Sequence, residues 1–522
     1  MMTNTPPNVA APEPAGIQEN PGKLTSGRLL AGNTLWNMAG LGAPALIGIL
    51  CLPVLKNYLG NDRLGLITLA WGVIGYFSLF DFGLSRALTK LLAEKLGQKK
   101  PEDIQPLVST CMLMLGLLGG LGALIAALLS PWLIQHLNVP ADLRHESLYS
   151  FYWLSASLPL VILATGARAV LEALQKFRLT TAIRIPMGVF TYLGPVLVLP
   201  FSRSTVAVFA VLVVGRAIAC CAYFWACMRV LPQLRRMPSL SKPLAKLLLR
   251  FGGWMTVTNV VAPFLVTFDR FVIAAVISVA AVAYYAVPLE VALKLTLVPG
   301  ALVTVLFPAF STAGSADRGR LVFLYESGLK YIFISLFPVT LALIAFAPEA
   351  LTLWLGKDFA LHSTSVARWL LAAIFLNGLA QIPFNHLQSD VRPDITAKLH
   401  LVELPIYAAA LFILASKFGI EGVAAAWLSR IALDGLLLFW FSHRLLRENK
   451  IVVTKLPWML AAALGAFAAA AWTGSVAIRI AVVCGSTLFA GLTTWSWIFT
   501  ASDRKSLQSL LQWRGAQSTR GD

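Results

Sequence analysis

Charged side chains are scarce in this sequence. Asp, Glu, Lys and Arg make up 13% of its 522 residues, against roughly 25% in a typical soluble domain. The shortage is concentrated in apolar runs of roughly twenty residues, the length that crosses a bilayer as a helix. Because lipid offers no hydrogen-bond partners to open sheet edges, only helices fit runs of this length. The composition therefore excludes a soluble protein and predicts an all-α membrane protein with many spans.

Cysteine and histidine are also few, with six of each. No cysteines have the C-x-x-C spacing of metal or redox sites, and no histidines have an H-x-x-x-H or H-E-x-x-H spacing. All six cysteines lie in apolar runs, where a thiol behaves as a small buried hydrophobic group. We therefore predict no metal site and no cofactor.

Sequence patterns of catalysis are missing as well, since there is no G-x-S-x-G, paired-carboxylate or DxD-like cluster. His136, Arg144 and His145 lie in the longest outer connector, around residues 130–148, and a wet surface loop explains them better than acid–base chemistry. We predict no enzyme activity and no catalytic residue. A polymerase or ligase acting on lipid-linked sugars stays as an alternative, although such an enzyme usually needs a larger loop outside the membrane. A scaffold that transports nothing is a further alternative.

The net charge of +18 does not indicate nucleic-acid binding, because the basic residues are spread through connectors and do not gather on one domain. We predict fourteen spans and place both termini in the cytoplasm. Thirty of the 42 lysines and arginines then fall in inner connectors and tails, and seven fall in outer connectors or, for Arg479, at the outer edge of a span, as the positive-inside rule requires. The spans are 33–55, 64–85, 107–129, 149–167, 185–201, 205–228, 251–275, 280–310, 331–347, 366–385, 399–416, 420–441, 456–473 and 477–500.

The sixth and twelfth spans repeat a pattern. GRAIACCAYFWACMRVL (215–231) and SRIALDGLLLFWFSHRLL (429–446) each have a small residue and Arg, then Phe-Trp, then Arg and Leu. Two spans six apart enter the membrane in the same direction, which favours a six-plus-six duplication. The predicted order is a disordered cytoplasmic tail (1–32), an N-lobe (33–230), a basic cytoplasmic linker (231–250), a C-lobe (251–446), two further spans (456–500) and a cytoplasmic tail (501–522).

Nine of the charged residues within the predicted spans bear on a possible site, and a charge in a span costs about 2.5–3.5 kcal/mol on insertion scales. Arg368 begins its span and could reach the interface by snorkelling. Two pairs have i, i+4 spacing and share a helix face, Glu290 with Lys294 and Arg430 with Asp434. Such pairs either hold helices together or line a polar cavity, and the sequence leaves both open. The nine are Arg216, Asp269, Arg270, Glu290, Lys294, Arg368, Glu403, Arg430 and Asp434.

Asp269 and Arg270 are adjacent, so they point about 100° apart on a helix. We predict that at least one of them finds a partner on another helix. We also predict that Pro288, Pro299 and Pro308 kink the long 280–310 run.

Four segments carry a resemblance to a known family, and they are LGLITLAWGVIGYFSLFDFGLSRALTKLLAEKLG (64–97), FDRFVIAAVISVAAVAYYAVPLEVALKLTLVPGALVTVLFPAFS (268–311), LTLWLGKDFA (351–360) and LHLVELPIYAAALFILASKFGIEGVAAAWLSRIALD (399–434). Together they resemble the polysaccharide (O-antigen type) flippases of the multidrug/oligosaccharidyl-lipid/polysaccharide exporter superfamily. The first is similar to the family's aromatic-rich helix that ends in Asp-x-Gly and a basic loop. The resemblance covers about residues 30–445.

This resemblance implies two six-helix lobes around a cavity that opens to either side in turn, followed by two extra helices. It implies an undecaprenyl-pyrophosphate-linked oligosaccharide moved to the outer leaflet of a bacterial inner membrane, with polysaccharide polymerase or assembly proteins as further partners. Arg270, Lys294, Arg430 and Arg216 would attract the pyrophosphate and sugar acids. Asp269, Glu290, Glu403 and Asp434 would pair with them or bind a coupling proton or sodium ion. A related exporter of small molecules is the alternative.

Overall fold

The chain is described by a computed structural model, which covers residues 27–77, 81–98, 101–235, 240–313, 318–389, 393–446 and 455–494. These residues form fifteen α-helices and three short 3-10 helices, and they contain no strand. Nine of their helical stretches are long and apolar enough to cross a membrane. The all-α, multi-span class predicted from the sequence is therefore confirmed.

Every predicted span overlaps one of these helices. In chain order they are α1 Gly27–Phe77, α2 Leu84–Gly97, α3 Ile104–His136, α4 Arg144–Ala173, α5 Phe177–Val198, α6 Thr205–Val230, α7 Lys242–Val276, α8 Val279–Lys294, α9 Leu297–Ala313, α10 Arg318–Ala345, α11 Ala347–Leu355, α12 Lys357–Ser389, α13 Pro393–Leu446, α14 Leu456–Trp472 and α15 Val476–Thr493.

Two helices each contain a pair of predicted spans. α1 is broken at Gly60, where φ is 79°, and α13 at Gly419, where φ is 61°. Glycine adopts a positive φ at no steric cost, so one residue can turn the chain between spans. Just after the second break, a Cβ on Gly422 would lie 2.1 Å from the carbonyl oxygen of Leu414. The two halves of α13 therefore leave this turn in backbone contact.

The 280–310 run is interrupted at a turn formed by Leu295 and Thr296. A proline ring clashes with the carbonyl group four residues before it, so Pro299 accounts for a break at Leu295. α8 runs on through Pro288 and α9 through Pro308. Of the three predicted kink sites, Pro299 is therefore the one at which the helix ends.

The predicted tails lie largely outside the described residues, which begin at 27 and end at 494. α1 begins at Gly27, so the last six residues of the predicted 1–32 tail are helical. In the predicted linker, Pro232–Arg235 is a 3-10 helix. α7 begins at Lys242, so the second half of the linker is continuous with the seventh span.

Helices of the two predicted lobes pack against each other. α1 packs against α5 within the N-lobe and against α8 of the C-lobe, while α14 and α15 pack against α10. In the repeated pattern, the guanidinium of Arg229 lies 4.1 Å from the ring of Trp225, and that of Arg444 lies 4.0 Å from the ring of Trp440. The matching cation–π pairs in α6 and α13 support a duplicated origin of the lobes.

Candidate functional site

Arg270 of α7 joins the two lobes. Its side chain is 3% exposed, and its guanidinium donates to the carbonyl oxygen of Thr68 in α1 at 2.9 Å and to a carboxylate oxygen of Glu290 in α8 at 2.9 Å. The neighbouring Asp269 is also buried and accepts a 2.6 Å hydrogen bond from the hydroxyl of Tyr285. Both adjacent residues therefore have partners on other helices, as their angular separation predicted.

The carboxylate of Glu290 contacts two cations, Arg270 and Lys294. Its second carboxylate oxygen lies 3.8 Å from the amine of Lys294, one helical turn along α8, so the predicted i, i+4 contact is present. The two cations differ in environment, because the side chain of Lys294 is 37% exposed and that of Arg270 is almost fully buried. Lys294 is thus the cation of this group that a ligand can reach.

A cleft between the lobes includes Glu290 and Lys294. One wall is formed by α1 and α5 of the N-lobe and the other by α8 of the C-lobe. Trp71 of α1 and Tyr192 of α5 meet edge to face, with ring centroids 4.9 Å apart. The cleft lining is Gly48, Ile49, Leu52, Thr68, Trp71, Tyr192, Val287, Glu290, Val291 and Lys294.

A second charged cluster forms across the break in α13. Glu403, before the break, is buried, and it lies 3.8 Å from Arg430, which follows the break. The guanidinium of Arg430 also lies 5.2 Å from the centre of the Tyr407 ring. The predicted partner of Arg430 was Asp434, but its ion pair is with Glu403. The break brings the two halves of the helix face to face, and sequence spacing within one helix cannot show that contact.

Asp434 lies instead beside Glu403 and His400. Each of these three residues offers one potential ligand atom, and the three atoms lie within 4.8 Å of one another. Two carboxylates and an imidazole are a donor set that suits a small cation or a proton. The prediction of no metal site rested on histidine–histidine spacings and overlooked His400, although it stands three residues before Glu403 on the same helix face.

Arg216 of α6 has a different environment from the other predicted cations. Its Nε atom is buried without a hydrogen-bond partner, and no ion pair of this side chain occurs within the described residues. Arg368 does not depend on snorkelling alone, because its Nε donates to the carbonyl oxygen of Ile344 at 3.2 Å. The eight predicted site residues thus divide into a group between the lobes, a group in α13, and Arg216 in the N-lobe.

Hydrogen bonds join the lobes at the end that the charge distribution predicts to be outside, which we term the outer end. The side-chain amide of Asn61 in α1 donates to the hydroxyl of Tyr284 in α8 at 2.9 Å, and that hydroxyl donates to Asp358 of α12 at 3.2 Å. Asn138 donates to the carbonyl oxygen of Ala275 at 2.8 Å. The N-lobe and the C-lobe are therefore closed against each other at this end.

The short helix α11 adds to this closure. The indole of Trp354 donates to the carbonyl oxygen of Ile49 at 2.8 Å, and the amine of Lys56 donates to the carbonyl oxygen of Leu355 at 2.7 Å. Both of these partners in the N-lobe belong to α1. Sequence reasoning identified none of these residues, since each is an ordinary side chain for a connector.

Comparison with known proteins gives concordant results. The family described as "Polysaccharide biosynthesis protein" matches residues 30–313. A "Putative O-antigen transporter" of Shigella flexneri is 30% identical over 416 residues, which are 79% of this chain and 97% of that protein. Among solved structures, lipid II flippase MurJ in an inward closed conformation is similar, with a TM-score of 0.68, 15% identity, and coverage of 89% of this chain and 100% of MurJ.

A multidrug resistance MATE transporter in an inward-facing conformation is similar as well. Its TM-score is 0.67 at 14% identity, over 80% of this chain and 99% of that one. At these identities the two structural matches concern the fold. They agree with two packed lobes followed, in this chain, by α14 and α15.

Proposed function

Because this chain belongs to the family of polysaccharide biosynthesis proteins, we propose that it is a flippase for lipid-linked oligosaccharide. Its substrate would be an undecaprenyl-pyrophosphate-linked repeat unit of O-antigen, exopolysaccharide or capsule. The protein would move this molecule from the inner to the outer leaflet of a bacterial inner membrane by alternating access. Both termini would lie in the cytoplasm, and polysaccharide polymerase or assembly proteins would act beside it.

The observation that carries this proposal is the cleft between the lobes. A lipid-linked oligosaccharide has a headgroup that cannot cross hydrocarbon and a tail that need not leave it. A flippase therefore needs a polar slot between two bodies that move relative to each other. The cleft lies between two such bodies, because α1 and α5 face α8 across it, and Glu290 and Lys294 add charge to one wall of a lining that is otherwise mostly apolar.

The charged side chains differ in exposure and in partners, and these differences suit different roles in transport. Lys294 is exposed enough to meet a pyrophosphate, whereas Arg270 is committed to Glu290 and Thr68 and holds the wall of the cleft. Arginine binds phosphate through its planar fork, so Arg216, whose Nε has no partner, is a second anion-binding candidate in the N-lobe. Glu403 and Asp434, with His400, are the candidates for a coupling proton or sodium ion.

Reconstitution tests the proposal. Purified protein in proteoliposomes should move a defined undecaprenyl-pyrophosphate-linked oligosaccharide to the opposite leaflet, detected by protection from a glycan-modifying reagent added on one side. The assay is run with and without a proton gradient and a sodium gradient. Empty liposomes provide the control for spontaneous movement. Lack of movement in every condition would contradict the proposal.

The second candidate is an exporter of small molecules, and the likeness of the fold to a MATE transporter favours it. Dye efflux from intact cells separates the two functions. An exporter protects cells from dyes and leaves glycan export unchanged when Arg270→Ala, Lys294→Ala and Arg430→Ala are made one at a time. A flippase gives no protection from dyes, and glycan export falls in these variants.

A further inference from the structure

Arg479 of α15 is a buried cation whose contacts all lie near the outer end. It is 7% exposed, and one terminal nitrogen lies 2.9 Å from both carboxylate oxygens of Glu349 in α11 and 2.9 Å from the carbonyl oxygen of Ala345. The other donates to the carbonyl oxygen of Gly474 at 3.1 Å. Because the donors of a guanidinium form a rigid fork, these contacts hold Arg479 in one geometry.

The partners of Arg479 are groups that need such a cation. Ala345 is the last residue of α10, so its carbonyl group has no donor within the helix. Glu349 lies in the first turn of α11, where a negative charge is favoured by the helix dipole. Arg479 therefore fixes both the end of α10 and the start of α11, and it ties them to α15.

The opposite end of α11 supplies a hydrogen-bond donor that α1 lacks. In a helix, the carbonyl group of Ile49 would accept from the N–H of residue 53, but residue 53 is proline and has no N–H. The indole of Trp354 supplies the missing donor at 2.8 Å. Two turns after Ile49, Lys56 donates to the carbonyl of Leu355, the last residue of α11. When α11 leaves α1, the carbonyl of Ile49 therefore loses a donor that its own helix cannot replace.

We propose that Arg479, Glu349, Trp354 and Lys56 form an outer latch, in which α15 holds α11 against α1 and so stabilises closure of the lobes at the outer end. The proposal rests on the alternating-access part of the proposed function. Arg479 is a positioning residue here, because it acts on the N-lobe through α11. It makes the last span, α15, part of the opening equilibrium.

Distance measurement between spin labels tests the latch without any substrate. Labels are placed at Asn57 in α1 and Leu353 in α11, both exposed, in the full chain with its six native cysteines replaced by serine. We expect one short distance in the parent protein. Arg479→Met should add a population at longer distance. Trp354→Phe should add the same population, because it frees the carbonyl of Ile49 without touching α15.

Arg229→Met is the matched control. It removes an arginine in the last turn of α6 that stacks on Trp225 and takes no part in the latch, so it should leave the distance unchanged. An unchanged distance in Arg479→Met, alongside a longer one in Trp354→Phe, would remove α15 from the latch. An unchanged distance in both variants would refute the latch as a whole.

Two provisions keep the result decisive. If Arg479→Met fails to fold, the same measurement is made on Arg479→Lys, which keeps the positive charge but lacks the planar guanidinium. We then expect a long-distance population smaller than the one expected for Arg479→Met. The labels report on the lobes alone, so the expected shift without oligosaccharide movement by the parent protein would support the latch and refute the proposed function. Movement of oligosaccharide by the parent protein with no distance shift in the variants would support the proposed function and refute the latch.

Discussion

Arg270 and Glu290 form a 2.9 Å ion pair between α7 and α8, and the same carboxylate lies 3.8 Å from Lys294. One acid therefore neutralises a buried cation on one side and contacts an exposed cation on the other. The sequence left open whether charged pairs in spans hold helices together or line a polar cavity. Here the buried pair of Arg270 and Glu290 is suited to holding helices together, and the exposed Lys294 is suited to meeting a ligand.

The first prediction concerns Glu290→Gln. The substitution removes the ion-pair partner of the buried guanidinium of Arg270, and breaking a buried pair in this way typically costs about 3–5 kcal/mol. We expect a clear fall in the free energy of unfolding, measured by denaturant titration in detergent. Glu94→Gln is the control, since Glu94 lies 3.9 Å from Lys90 in an exposed pair that should contribute less than about 1 kcal/mol. Equal losses in the two variants would contradict this assignment.

The second prediction concerns Lys294→Met. Lys294 is partly exposed, so its loss should change the free energy of unfolding by less than about 1 kcal/mol. A hydrogen bond to a charged group contributes about 1.5–3 kcal/mol, so the rate of oligosaccharide movement should fall by roughly tenfold or more. Lys90→Met, at an exposed position of α2, should leave the rate unchanged. If the double variant with Glu290→Gln restores movement, Lys294 serves only to hold Glu290.

The third prediction concerns Asp434→Asn. Asp434, Glu403 and His400 offer ligand atoms within 4.8 Å of one another, and the substitution removes one of the two carboxylates. Transport driven by a proton or sodium gradient should then lose its dependence on that gradient. The measurement compares initial rates with and without each gradient. Asp394→Asn, in an exposed pair with Lys398, should keep the parent's dependence, and retention of that dependence in Asp434→Asn would exclude a coupling role for the cluster.

The fourth prediction concerns Gly65→Ala at the contact between α1 and α8. A Cβ there would lie 1.9 Å from the carbonyl oxygen of Val279, so the two helices must separate. Overpacking of this kind typically costs about 1–3 kcal/mol, and we expect a lower midpoint of thermal unfolding. Gly116→Ala is the control, because its Cβ would meet only Leu163, at 3.8 Å. A neutral Gly65→Ala would contradict the close packing of the lobes at the outer end.

The spans and the class of fold could be predicted from the sequence, because burial in lipid leaves a strong signal in composition and in the position of basic residues. Contacts between helices could not. Spacing paired Arg430 with Asp434, whereas the break at Gly419 brings Glu403 to Arg430. Arg479 lies at the outer edge of the last predicted span and was not among the candidate residues, yet it is buried against Glu349. Pro53 did carry a readable signal, since a proline within a helix always leaves one carbonyl group that needs another donor.

Reconstituted protein gives the most direct test of flippase activity. Movement of undecaprenyl-pyrophosphate-linked oligosaccharide between the leaflets of proteoliposomes is measured for the parent protein, Lys294→Met and Lys90→Met. We expect movement by the parent and by Lys90→Met, with a rate at least roughly tenfold lower for Lys294→Met. Failure of the parent protein to move the oligosaccharide, together with efflux of dyes from cells that contain it, would contradict the claim.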